Sequence, residues 1–443
     1  EKAAGALSAI ALDNVENKSF IATMLVKLLT PDDKTAYAMM AKAARAVSRL
    51  ARAHPANQEV LATAGAIGIL VGLLGDNIDP AVLKPKPEVA LMQKEFASAL
   101  WSMAANNSDN QEAIATAGGI PLLVQLLRGS SEVHGDAAGA LWSLAAATNN
   151  QKLIADDGGI TALVGLLKTG SKGAQETSAG ALHVLASRTE NRVLISDVRG
   201  IPLLVACFEV GSPEAKDQAA DALLTMVVNN SVNQSAVARE AVAVLSNQHS
   251  LPEAQEHVTK LLRNLALDPE NRASMATAGA IPQLARQLRD GQPFGQEMAA
   301  GALAQLALKS AALRVQVTQE LVALLGSSVS AVRHRAAEAL RDMNAEAGAD
   351  SRMSIAMAGG IDRFVSLLKD GSVEAQEYAL WSLWQSTDMA SRVSIAEASC
   401  AESIIATLVA GKLHEVAKEH AAAVLYSLAS EGIAGISTEL CLK

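Results

Sequence analysis

The chain of 443 residues is half hydrophobic, 19% charged and 3% aromatic, and its 37 basic against 46 acidic residues leave a formal net charge of −9. That balance excludes a nucleic-acid binder held mainly by phosphate contacts, which needs a basic face. Cys207, Cys400 and Cys441 are too scattered, and odd in number, for a disulfide framework or a CxxC metal site, which favours a reducing, cytoplasmic setting, with membrane recruitment or nuclear entry left open.

In chain order, Ala3 to Leu12 could pass for the apolar core of a signal segment, but the same pattern returns ten more times, so it reads as a repeat helix and the chain as beginning mid-repeat. The recurring unit is an Asn-rich turn, a short helix, Gly, then Ile-(Pro)-x-Leu-Val-x-Leu-Leu, a polar turn, and an Ala-rich helix ending Ala-Leu-x-x-Leu. The Gly-Ile junction falls at Ile67, Ile120, Ile160, Ile201, Ile281 and Ile361, with degenerate copies near Val242, Gln319 and Glu402. From Ile120 to Ile361 six intervals cover 361 − 120 = 241 residues, about 40 each. The Ala-Leu pair marks eleven third helices, at Ala6, Ala46, Ala99, Ala140, Ala181, Ala222, Leu261, Ala302, Ala339, Ala379 and Val424. Apolar runs such as Ala113 to Leu127 are broken by Gly-Gly-Ile-Pro and are too short to span a bilayer.

A unit of about 40 residues is too long for tetratricopeptide or ankyrin repeats. In Ala64-Gly65-Ala66-Ile67, Ala117-Gly118-Gly119-Ile120-Pro121, Arg199-Gly200-Ile201-Pro202 and Ala278-Gly279-Ala280-Ile281-Pro282, Gly stands where a short first helix must end in a left-handed residue, and Pro follows in the first turn of the next helix. With the run Asn110 to Leu127 and the third helix from Val133 to Ala147, this pattern resembles the armadillo family across essentially the whole chain. The resemblance implies an all-α, right-handed solenoid of about ten three-helix repeats over residues 1–443. Each unit then hides its apolar face only by stacking on its neighbours.

Two departures stand out. A stretch from Asp76 to Val89 lengthens one repeat by about a dozen residues, and its prolines predict a surface loop at 76–89, either a binding loop or a tolerated insertion. Around Asn233 to Asn247 and Lys309 to Leu325 the Gly-Ile junction is missing, which predicts a change of pitch.

No P-loop, HExxH, GxSxG or dinucleotide fingerprint is present. His414 and His420 are six apart, not the four that would place both on one helix face, and Cys207 lies in the apolar run Leu203 to Phe208 and reads as a buried small hydrophobe. No enzyme, metal or cofactor is expected.

The working surface implied by the resemblance is the groove lined by third helices, where family members carry Trp and, four residues on, Asn. Importin-α-like members use these to hold basic peptides. Here the Trp positions hold Gly5, Arg45, Ser98, Gly139, Gly180, Asp221, Lys260, Gly301, Glu338, Tyr378 and Ala423, and the Asn positions hold Asn only at Asn264, with Ser102, Ser143, Gln305 and Asp342 among the others. Nuclear-import cargo is therefore not expected. Instead Glu176, Asp217, Glu256, Glu297, Glu374 and Glu419 recur one turn before the Trp position, joined by Asp221, Glu338 and Asp342. Such a stripe would attract a basic segment, or would merely suit helix N-termini. Trp101, Trp142 and Trp381 share a register three residues past the Trp position, as groove-edge platforms or as packing between third helices.

The resemblance implies a non-enzymatic scaffold or adaptor, closer to vacuolar-type or β-catenin-like armadillo proteins than to importin-α. It would bind a basic or extended segment of a partner protein, with no preference for acidic ligands; the oligomeric state stays open. Two alternatives stand: the substrate-recognition region of a larger protein such as a U-box ubiquitin ligase, and a cytoskeletal or axonemal structural component.

Overall fold

The computed structural model describes residues 15–30, 36–78, 85–347, 349–385 and 400–429, which form 26 α-helices and no strand. They fall into two compact units, residues 1–233 and 234–443. Within each, three-helix repeats stack side by side as expected of an armadillo solenoid.

The first unit opens with α1 (Val15–Leu29) and α2 (Tyr37–Ala51). Four full repeats follow. They are α3 (Pro55–Thr63), α4 (Ala66–Asp76) and α5 (Pro87–Ala104); α6 (Ser108–Thr116), α7 (Gly119–Leu126) and α8 (His134–Leu144); α9 (Thr148–Asp156), α10 (Gly159–Thr169) and α11 (Lys172–Leu185); and α12 (Thr189–Asp197), α13 (Gly200–Val210) and α14 (Pro213–Met226). The third helices α2, α5, α8, α11 and α14 pack each on the next. Small side chains let them approach: Ala97, Ala138, Ala179 and Ala219 are fully buried, while Leu70, Leu123, Leu163 and Leu204 fill the seam under the second helices.

The second unit holds α15 (Ser231–Ser246), which begins just before it, then α16 (Pro252–Leu267), α17 (Pro269–Thr277), α18 (Ala280–Asp290), α19 (Pro293–Leu306), α20 (Ala311–Leu324), α21 (Ser330–Ala347), α22 (Ala349–Met357), α23 (Gly360–Asp370), α24 (Val373–Gln385), α25 (Cys400–Val409) and α26 (Glu415–Ala429). Its third helices are α16, α19, α21, α24 and α26, again packed in succession.

Each junction turns on one left-handed residue. Gly65, Gly118, Gly158, Gly279 and Gly359 have φ between 75° and 84°. In the fourth full repeat the expectation fails: the left-handed residue is Arg199, with φ 63°, and Gly200 is already helical. Gly200 is needed for space instead, because a β-carbon there would collide with Ile195, 2.7 Å from its carbonyl oxygen. Where the junction is missing, the first two helices of the repeat run together as the single helices α15 and α20. Without a residue that readily turns left-handed, the chain continues the α conformation.

The Asn-rich turn also has a structural cause. Nδ2 of Asn57, Asn110, Asn150, Asn191, Asn233 and Asn271 donates to a carbonyl near the end of the preceding third helix, at 2.9–3.1 Å. The next residue continues the cap: Gln111 binds Ala104 O, and Arg192 and Arg272 each bind several main-chain carbonyls. These side chains satisfy helix-end acceptors that would otherwise be buried without a donor.

The expected 76–89 loop is bounded by helices at both ends: α4 runs to Asp76, and α5 begins with Pro87 in its first turn, where a missing N–H is tolerated. Residues 79–84 lie outside the described residues, as do the first Ala-Leu helix at Ala6, Gly5, and Cys441.

Candidate partner-binding surface

The third-helix face of each unit carries the residues singled out from the sequence. Trp101, Trp142 and Trp381 are half-buried. The indole of Trp101 lies flat against Gly139 in the next third helix, so that a β-carbon on Gly139 would sit 2.6–2.7 Å from Cδ2, Cε2 and Cε3. Trp142 meets Gly180 in the same way, at 2.7–2.8 Å. The two indoles therefore pack between neighbouring third helices, with part of each ring left accessible.

The same pairing of registers recurs: the residue three past the Trp position in one repeat touches the Trp position of the next. Ser48 Oγ is 3.3 Å from Ser98 Oγ, the Arg263 side chain lies over Gly301, and the Arg341 guanidinium is 4.4 Å above the Tyr378 ring. Tyr378 also stacks on His334 at 5.5 Å, and its hydroxyl pKa is raised by burial, against an opposing pull from Arg341. At Gly139, Gly180 and Gly301 the absence of the family Trp thus has a physical counterpart, since a large side chain reaches in from the preceding repeat and glycine makes room for it.

The polar candidates sit in different settings. Ser102 is only 7% exposed and shares a 2.9 Å hydroxyl contact with Ser48, which makes it a link between α2 and α5. Ser143 and Asn264 are half-buried, and Gln305 accepts a long 3.5 Å hydrogen bond from Arg272.

Among the acids, Glu176, Asp217, Glu256, Glu297 and Glu419 each occupy the fifth position of their helix, past the first turn where the macrodipole acts. Glu374 differs: it lies in the first turn of α24, and hydrogen bonds from its own main-chain N–H and from Ser372 hold its carboxyl below the usual range. In the second unit Glu297 lies 3.8 Å from Arg335, and Arg341 reaches Glu338 at 3.8 Å and Asp342 at 3.2 Å. In the first unit Glu176, Asp217 and Asp221 make no ion pair with a described residue.

Two features were not singled out from the sequence. Asp136 at the start of α8 faces Ser98 and Lys94, and burial raises its pKa while those two groups oppose the rise. Arg45 pairs with Glu95 at 2.6 Å, tying α2 to α5. The histidines bind protein groups: His414 bonds Glu377 at 2.7 Å and His420 stacks on Trp384 at 4.7 Å. Among the described residues no group of three His, Cys, Asp or Glu could hold a metal ion, and no single helix is long and apolar enough to cross a membrane. Only α3 and α4 taken together, among the described residues, have the length and apolar composition of a span; they are bent by 68° at the break between them and are the first two helices of a repeat.

A family model described as Armadillo/beta-catenin-like repeat matches residues 107–146 and 349–385, one full repeat in each unit. Among solved structures, the chain is similar to an engineered protein from the Northeast Structural Genomics Consortium, at 27% identity and a TM-score of 0.57, over 92% of this chain and 99% of that one. It is also similar to a designed armadillo repeat protein at 22% identity and a TM-score of 0.44, over 64% of this chain and 99% of that one. No curated protein matches the sequence. The two matched segments are armadillo-type repeats, and the three-helix units in register with them give the described residues the fold of armadillo-repeat proteins.

Proposed function

We propose that the protein is a non-enzymatic interaction scaffold, and that the third-helix face of its first unit holds an extended segment of a partner protein. Basic side chains of that segment meet Glu176, Asp217 and Asp221, and a flat or cationic group stacks on the accessible part of Trp101 or Trp142. One observation carries this reading: three carboxylates without a described counter-ion lie along the same face as two indoles fixed in place by glycines. The second unit supports it less, since Arg335 and Arg341 already neutralise Glu297, Glu338 and Asp342.

An exposed charge pair contributes roughly 0–1 kcal/mol and a cation–π contact roughly 0.5–2 kcal/mol, so useful affinity needs contacts with several repeats at once. The test is titration of the intact protein with an arginine-rich peptide, read by Trp fluorescence and repeated at high salt. Binding should weaken with salt and drop at least tenfold in Glu176→Lys with Asp217→Lys. Equal affinity in that double variant would sink the proposal.

A further inference from the structure

In the second unit the turn after α20, Gly326-Ser327-Ser328, gathers arginines from three helices. It lines a cavity of about 390 Å³ together with Arg286 and Arg289 of α18 and Glu320 of α20. From the following repeat Arg363 of α23 reaches the same turn: its Nη1 lies 2.9 Å from where a β-carbon on Gly326 would stand, so glycine makes room for the guanidinium. Arg333, near the start of α21, donates to Ser327 O at 2.8 Å and to Asp370 O at 2.9 Å. These arginines are unequally compensated. Arg289 bonds the Asp290 carboxylate at 3.0 and 3.1 Å, and Glu320 acts on it as well. Arg286, which is half-buried, and Arg363 make no hydrogen bond or ion pair with a described residue. Ser328 is exposed, and neither its main-chain N–H nor its hydroxyl has a described partner. Two guanidinium groups without a counter-ion thus approach one serine turn, from the repeat before it and the repeat after it.

We propose that this turn receives a phosphate monoester carried by a partner protein, the side chain of a phosphorylated serine or threonine. Such a group bears a charge of about −1.5 to −2 at pH 7 and three acceptor oxygens. Arg286 and Arg363 each present a planar fork of donors that matches phosphate geometry, and the Ser328 hydroxyl adds a further donor. A carboxylate brings two oxygens and a smaller charge, so it meets fewer of these donors at once. Glu320 lines the same cavity and opposes any anion there, which gives the site a built-in check: its removal should strengthen binding. The site lies on second helices and the turn that follows one of them, and it stands independently of the third-helix face proposed for the first unit.

The test passes the full chain over three immobilised peptide libraries, degenerate except for one fixed residue: phosphoserine, serine or glutamate. Retention on the phosphoserine library should exceed that on the other two by about tenfold. Arg286→Gln with Arg363→Gln should bring it down to the serine level, with unchanged helical circular dichroism. Arg286→Lys with Arg363→Lys keeps the charge but loses the planar forks, and should weaken retention by about threefold. Glu320→Gln should strengthen it by about threefold, and Arg239→Gln, an exposed arginine of α15, should change nothing. Soluble phosphopeptides from the first library should compete at concentrations well below those needed of inorganic phosphate. Equal retention on the phosphoserine and glutamate libraries, or no retention on either, would overturn the proposal. So would retention that survives the glutamine pair, since binding would then lie elsewhere. If inorganic phosphate competes as well as the phosphopeptides, the assignment to a partner protein falls. None of these results bears on the first unit's third-helix face, so the scaffold reading is judged by its own titration.

Discussion

Replacing Gly139 with alanine offers a test of the indole seam in which the two possible outcomes differ in sign. Gly139 lies inside α8, where alanine is normally preferred by about 0.5–1 kcal/mol because it restricts the unfolded chain and exposes less backbone. The added methyl carbon would sit 2.6–2.7 Å from three ring atoms of Trp101, nearly 1 Å inside contact distance. Those atoms belong to the fused centre of the indole, so no terminal rotation clears them. Overpacking of this kind costs about 1–3 kcal/mol, which leaves a net loss of roughly 0.5–2 kcal/mol. Gly165 in α10 is the control, because a β-carbon there meets nothing within 4 Å and Gly165→Ala should stabilise by the propensity gain alone. Solenoids need not unfold in one step, so the comparison is of denaturant midpoints followed by Trp fluorescence beside far-UV circular dichroism. Gly139→Ala should also perturb the fluorescence in the native state, and Trp101→Leu in the same chain should relieve most of its cost. If Gly139→Ala shifts the midpoint upward as Gly165→Ala does, the indole does not occupy that space and the paired-register account is wrong.

Three further expectations concern the same seams. Burial raises the pKa of Asp136, so the folded state holds that proton more firmly than the unfolded chain does. The stability contributed by the protonated group is present below the unfolded pKa of about 3.9 and is lost as pH rises through the higher folded value. Asp136→Asn should accordingly improve relative to the parent protein between pH 3 and pH 7 in thermal midpoint, and a difference independent of pH would contradict the assignment. Arg192→Leu should destabilise the first unit by about 2–4 kcal/mol, because the carbonyls of Ala186, Ser187 and Val228 lose their donor; a shift within 0.5 kcal/mol, ~the range of an ordinary surface substitution, would show that water replaces it. Burial pushes the Cys207 thiol up to about 11 and the Cys400 thiol to about 12. Neither should react with a thiol reagent at pH 8 until its own unit opens, which makes labelling rates, read by peptide mass spectrometry, separate clocks for the two units.

How far the fold could be read from the chain follows from where each determinant lies. Junction isoleucines, Ala-Leu pairs and the prolines at helix starts act within one repeat, and repetition in register makes each visible many times over; the helices appear where those marks place them. The contact of Trp101 with Gly139 joins residues of adjacent repeats, and nothing local in either helix announces it. A signal was present all the same: glycine stands at the Trp position of the repeat that follows both Trp101 and Trp142. The asparagines were legible as a turn but not as donors, since their acceptors are main-chain carbonyls, which every residue carries. The division of the acids was hidden for a similar reason, because whether Arg335 or Arg341 reaches a carboxylate depends on the rotation of one helix against another.

Arg199 shows which kind of reasoning transfers. Selecting glycine by identity placed the left-handed residue at Gly200. Counting back from the junction isoleucine places it two residues earlier, at Gly65 before Ile67, Gly118 before Ile120, Gly279 before Ile281, and therefore at Arg199 before Ile201. Position in the repeat fixes the backbone angle, because the second helix must turn back over the first, and the residue found there tolerates that angle at greater or lesser cost. The neighbouring slot, one residue before the isoleucine, answers to a different constraint: glycine or alanine is found there because the preceding helix ends against it. Two adjacent small residues thus satisfy two separate demands, torsional at the first and steric at the second. The fourth full repeat separates them, with arginine at the torsional slot and glycine kept at the steric one.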